Sequence, residues 1–178
     1  MRDLLDSMYK GFPVGYLLFW ETGADAGARQ IGVEEKQKAP RLLIVDGQQR
    51  LTSLYAVITG SEIVKDDYSG ERIRIAFRPS DAMFAVADAA TDKDPEFIAD
   101  ISALWVPSQR KQVVRDYLKR LEGKREMADA ERDRLEEAVD RLHDLRDYPF
   151  KAVELASSVE EEQVAEVFVR RSTPRASP

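Results

Sequence analysis

The residues best equipped for chemistry stand in one short run, Asp46-Gly47-Gln48-Gln49-Arg50. An aspartate can hold a metal ion that accompanies a phosphate. A glycine lets the backbone approach a ligand with no Cβ in the way. The two glutamines offer amide donors that can bind phosphate oxygens or orient a water. The arginine brings a planar fork of N–H donors that matches phosphate oxygens. Such a set could grip a polyphosphate if the chain turned into a helix at this point. The first N–H groups of a helix lack intrahelical acceptors, and its dipole is positive at that end.

The flanking residues predict that turn. Leu42-Leu43-Ile44-Val45 reads as a buried strand and Asp46-Gly47 as a turn. A helix is expected from Gln48, with Leu51, Leu54, Tyr55 and Ile58 as its apolar stripe and Gly60 as its end. The same residues admit a reading without a ligand, because Asp46 and Gln49 also fit a capping box. Spacing leaves both open.

Other elements must carry this turn. Residues 3–9 have helical spacing and stop at Gly11-Phe12-Pro13. Residues 14–20 read as a buried strand that takes Tyr16, Phe19 and Trp20 into the core, and 21–40 as a polar loop or long hairpin. Residues 72–77 alternate with Ile73, Ile75 and Phe77 on one face, and 83–87 can pair with them across Pro79-Ser80-Asp81. A short helix is expected over 95–105, packed through Phe97, Ile98, Ile101 and Leu104. Two long charged helices follow over 109–121 and 129–145, then a strand over 150–155 and a helix over 158–170 with Ser158 as its cap. Early strands and late helices give an α+β class. Arg110, Lys111, Arg115, Lys119, Arg120, Lys124 and Arg125 read first as a solvated helix face, with DNA contact the lesser reading. His143 reads as a surface or boundary residue.

Composition narrows the function. The chain has 178 residues and no cysteine, which removes disulfides, thiolate nucleophiles and cysteine-based metal sites. One histidine cannot build a two-histidine metal centre, so no resident metal site is expected. A net charge of −6 argues against a domain that holds DNA by its own phosphate contacts. No run approaches the length of a membrane span, and the start lacks the apolar block of a secretory signal. Together with the absence of cysteine this leads to the expectation of a cytoplasmic protein.

DGQQR followed by LTSL, after an apolar strand, resembles the signature of the N-terminal domain of GmrSD-type restriction endonucleases. LLDSMYKGFPVGYLLFW is similar to that family's entry helix, G-x-P-x-G and strand, and YPFKAVELASSVEEEQVAEVFVR to its later strand and helix. The resemblance implies a ParB/sulfiredoxin-like fold, a small mixed sheet with a set of long helices, over residues 1–170. It implies nucleoside triphosphate binding and hydrolysis, with Mg2+, as control over DNA cleavage. By position, Asp46, Gly47, Gln48, Gln49 and Arg50 would form the nucleotide site, with Asp46, Gln49 and Arg50 catalytic. Thr52 and Arg170 are weaker additions, for which a helix-internal hydroxyl and a solvated helix end are the alternatives.

Two departures qualify the resemblance. The family's usual opening strand would precede Met1, and after Arg170 its F-V-R-I-N continuation gives way to RSTPRASP, residues 171–178. The expectation is a domain truncated at both ends, with a frameshift or misplaced gene boundary after Arg170 and a disordered tail over 171–178. DNA would then be reached only through a nuclease domain or subunit outside this chain, and homo-oligomerisation is left open. The competing expectations are a non-enzymatic ParB-like nucleotide- or DNA-binding adaptor, and an inactive remnant.

Overall fold

A computed structural model describes residues 1–21, 42–64 and 70–172. It is α+β, and its contacts divide the chain into two compact units. The loop or hairpin expected over 21–40 lies outside the described residues apart from Glu21.

The first unit comprises Gly15–Gln49 and Pro149–Pro178. It holds a three-stranded mixed sheet in the order β2-β1-β7, made from Tyr16–Glu21 (β1), Leu42–Asp46 (β2) and Lys151–Leu155 (β7). β1 runs antiparallel to β2 and parallel to β7. The helix α5, Glu161–Ser172, packs on β2 and buries Val164. Trp20 donates its indole N–H to the Val159 carbonyl at 3.1 Å, tying β1 to the turn before α5. β1 is less buried than its composition suggested. Leu17 and Leu18 are in the core, Phe19 and Trp20 are half-buried, and Tyr16 is exposed. β2 is half-buried along its middle as well. The cap of α5 also differs from expectation: Glu160 precedes the helix, and the Gln163 side chain accepts from its N–H, so Ser158 lies further out.

The second unit comprises Met1–Val14 and Arg50–Tyr148. Its aromatic centre joins Tyr9 of helix α1 (Arg2–Tyr9) to Phe77 and Phe84 on the hairpin β5–β6 (Ile75–Arg78 and Met83–Val86). The ring centroids lie 4.8–5.8 Å apart, within the range where tilted aromatic pairs attract. Helix α2, Gln48–Thr59, buries Leu54, Ala56 and Val57. This corrects the expected stripe, since Tyr55 faces solvent and the burial centres on Leu54 and Val57. Gly60 follows at φ +69°, the left-handed conformation of a helix-ending glycine.

The strand expected over 72–77 is two strands. Gly70–Arg72 (β4) pairs with Glu62–Val64 (β3), and β5 pairs with β6 as foreseen. The change of partner falls where Arg72 bonds Asp100 and Ser102, and Arg74 bonds Asp92. Most of 95–105 is not helix either. Ile98 exchanges both backbone bonds with Phe77, and only Ile101–Trp105 forms a short 3-10 helix, capped by Asp100. The four apolar residues named there are buried nonetheless. Helices α3 (Pro107–Glu122) and α4 (Asp129–His143) complete the unit through Tyr117, Leu118, Leu121, Leu135, Val139 and Leu142.

Tyr117 is fully buried, and its hydroxyl has no hydrogen-bond partner among the described residues. Burial, reinforced by nearby Glu96, holds its ionisation well above the ordinary tyrosine range, so the phenol stays neutral. An unmade buried hydrogen bond costs about 1–3 kcal/mol. Tyr117→Phe, which removes only the oxygen, is therefore expected to raise stability by roughly 1 kcal/mol in urea unfolding. A clear loss of stability would show that the hydroxyl has a partner.

Candidate functional site

The strand-to-helix turn expected from the sequence is present. β2 ends at Asp46, α2 opens at Gln48, and Gly47 alone joins them. Gly47 is buried and takes φ +95°, a conformation that L side chains rarely adopt. A β-bulge precedes it. Leu18 pairs with Asp46 while Phe19 pairs with Ile44, so Val45 is an extra residue on β2. Bulges re-aim neighbouring side chains and occur beside functional sites. No sequence signal marked this one.

Asp46 is exposed, and its Oδ1 accepts from the Gly47 N–H at 2.8 Å. With the helix opening at Gln48, Gly47 takes the cap position. Gln48 and Gln49 are exposed on the opening turn. Their N–H groups belong to the set that an α-helix leaves without intrahelical acceptors.

The boundary between units falls between Gln49 and Arg50. On the far side Arg50 is half-buried, and its Nη1 donates to the Val14 carbonyl at 2.5 Å. Tyr148 donates its hydroxyl to the Phe12 carbonyl at 3.0 Å, so two side chains fasten the entry segment 11–14 from distant parts of the sequence. This structural task for Arg50 was not legible in the sequence, which named it for phosphate alone. Thr52 is half-buried on α2. Arg170 falls within α5, and its side chain lies outside the described residues. The structure thus brings Asp46 and Gly47 into contact and places both glutamines on the same turn.

Elsewhere, Arg110, Arg120 and Arg125 of the basic stretch have protein partners in Asp140, the Phe97 carbonyl and Glu131. His143 is half-buried, and its carbonyl accepts from the Trp105 indole at 2.9 Å. Among the described residues no three His, Cys, Asp or Glu side chains gather to hold a metal ion. Nor, among the same residues, is any helix long and apolar enough to cross a membrane.

The sequence model of the family described as GmrSD restriction endonuclease, N-terminal domain, matches residues 1–173. The chain belongs to that family. No curated protein sequence matches it. Membership places the chain among proteins of restriction and phage-defence systems, and the matched range takes in both the 46–50 turn and the α3–α4 pair. The tail expected from 171 overlaps the end of α5, which runs to Ser172, and the remainder lies outside the described residues.

Two substitutions probe the turn as structure. Gly47→Ala forces a side chain into the left-handed region, and a loss of about 1–2 kcal/mol in urea unfolding is expected. Arg50→Ala removes a charged donor from the Val14 carbonyl, with an expected loss of roughly 1.5–3 kcal/mol. Unchanged unfolding in Arg50→Ala would mean that the bond to Val14 contributes nothing to the fold.

Proposed function

We propose that this GmrSD N-terminal domain is a nucleoside triphosphate-binding and hydrolysing regulatory module of a DNA restriction system, with its phosphate site at residues 46–50. The observation that carries the reading is Gly47 at φ +95°, which starts α2 immediately after β2 and leaves Asp46, Gln48 and Gln49 exposed around the opening N–H groups. An anion is favoured at such a position by the helix dipole and by those donors together. The absent Cβ at Gly47 also suits a close approach by phosphate oxygens.

Asp46 is the carboxylate that would hold Mg2+, which would neutralise phosphate charge when bound. Phosphoryl transfer depends mainly on positioning and charge stabilisation, so the helix opening and the guanidinium of Arg50 would carry most of the effect. Gln49 would orient the attacking water. In this reading turnover licenses DNA cleavage by a nuclease domain or subunit, and DNA is reached through that partner. A second reading, an adaptor that binds nucleotide without turnover, fits the same turn.

Nucleotide binding and phosphate release should be measured on the wild type beside Gln48→Ala, Gln49→Ala and Arg50→Ala. Arg50→Ala is expected to weaken binding at least tenfold, which corresponds to about 1.4 kcal/mol. Gln49→Ala is expected to slow release of phosphate more than it weakens binding. Because Arg50 also anchors Val14, the exposed Gln48→Ala is the variant least confounded by folding, and its affinity should fall while its unfolding curve stays put. Binding without phosphate release would favour the adaptor, and unaltered affinity in all three folded variants would remove the site from this turn.

A further inference from the structure

Helices α3 and α4 form an antiparallel pair. Arg110 near the start of α3 pairs with Asp140 near the end of α4, and Arg132 near the start of α4 pairs with Glu122 at the end of α3. Beside them opens a cavity of about 700 Å³, with Val114 and Leu118 as its apolar floor. Lys111, Arg115 and Lys119 line it from α3, four residues apart. They are exposed and have no ion-pair partner among the described residues.

The outward face of α4 carries the complement. Asp129, Asp133 and Glu137 are likewise four residues apart, exposed, and without an ion-pair partner among the described residues. Their row lies about 60° round the helix from the groove-lining positions Arg132, Glu136 and Asp140. In both rows successive charges rise about 6 Å along the helix, so the two can match position for position. One helix of the pair is therefore basic outside and the other acidic. A two-fold axis that sets this pair against a second copy of itself brings each basic row to an acidic row twice. A nucleic-acid backbone fits less well, because its phosphates carry one sign only and could match the basic row of α3 but not the acidic row of α4.

We propose that the chain forms an isologous dimer through its α3–α4 pairs, Lys111, Arg115 and Lys119 facing Asp129, Asp133 and Glu137 of the second copy over the Val114–Leu118 floor. The proposal is independent of the nucleotide reading. Exposed ion pairs are screened over about 8 Å at physiological ionic strength, so the association should weaken as salt rises.

Sedimentation equilibrium of the full chain over a range of concentrations and salt tests it. The wild type should dimerise at low ionic strength. The triple variants K111E/R115E/K119E and D129K/D133K/E137K should each dimerise at least tenfold more weakly, while their equimolar mixture recovers a mixed dimer. If either triple variant fails to fold by circular dichroism, the neutral variants Arg115→Gln and Asp133→Asn replace it, each with weaker dimerisation, and their mixture should recover part of it because one of the two Arg115–Asp133 contacts is restored. A wild type that stays monomeric at every concentration would overturn the proposal. So would a dimer indifferent to both rows, or a monomer whose α3 row instead binds duplex DNA in a salt-dependent way.

Discussion

The backbone conformation of Gly47 is the constraint on which the motif depends. A strand that delivers its chain directly into a helix has a single residue in which to change direction, and φ +95° is the angle that achieves it here. Any side chain would have to enter a region closed to most L residues. The neighbouring features follow from that turn. Val45 bulges out of the β1–β2 ladder just before it, and Asp46 folds its carboxylate back on the Gly47 amide. Gln48 and Gln49 are left on an exposed helix opening. The motif is thus a piece of backbone geometry first and a set of side chains second, which is why its glycine matters as much as its charged members.

Arg50 shows how one residue can serve two levels of the structure. It is half-buried, and a guanidinium in that setting needs acceptors because charged groups are costly to desolvate without them. The Val14 carbonyl is one, and with the Tyr148–Phe12 bond it holds the segment after α1 in place. Lysine would be a poor replacement even before any ligand is considered, since an ammonium lacks the planar fork that shares several acceptors. The phosphate role proposed for Arg50 would act on a side chain that the fold has already oriented, and such pre-organisation favours binding.

Much of this was legible in the residues. Among the described residues periodicity located α1 to α5, though it also carried the 3-10 turn at Ile101–Trp105 back to residue 95, and the turn at 46–47 followed from an apolar run meeting Asp-Gly. What escaped was set by tertiary partners. Arg72 and Arg74 read as strand positions, yet their bonds to Asp100 and Asp92 mark the point where β4 leaves one hairpin and β5 enters another. Ile98 has helical spacing from Ile101, but Phe77 claims its backbone bonds. Tyr55 matched an apolar stripe, whereas the neighbours of α2 sit nearer Leu54 and Val57. Around residues 46–50 the strand, the glycine turn and the start of the helix were readable. The bulge at Val45 and the Val14 partner of Arg50 were not, because both depend on residues far off in sequence.

The charge pattern needs the structure in a further way. A net charge of −6 says only that the chain as a whole repels polyanions at long range. Resolved by helix, the charges separate: α3 turns Lys111, Arg115 and Lys119 outward, and α4 turns Asp129, Asp133 and Glu137 outward. The cross-pairs Arg110–Asp140 and Arg132–Glu122 hold the two helices together at opposite ends. Those cross-pairs take up part of the attraction within the chain, while Lys111, Arg115 and Lys119 of α3 and Asp129, Asp133 and Glu137 of α4 have no ion-pair partner among the described residues. A basic stretch inside an acidic chain is then better matched by the acidic surface that the same chain carries than by a nucleic acid.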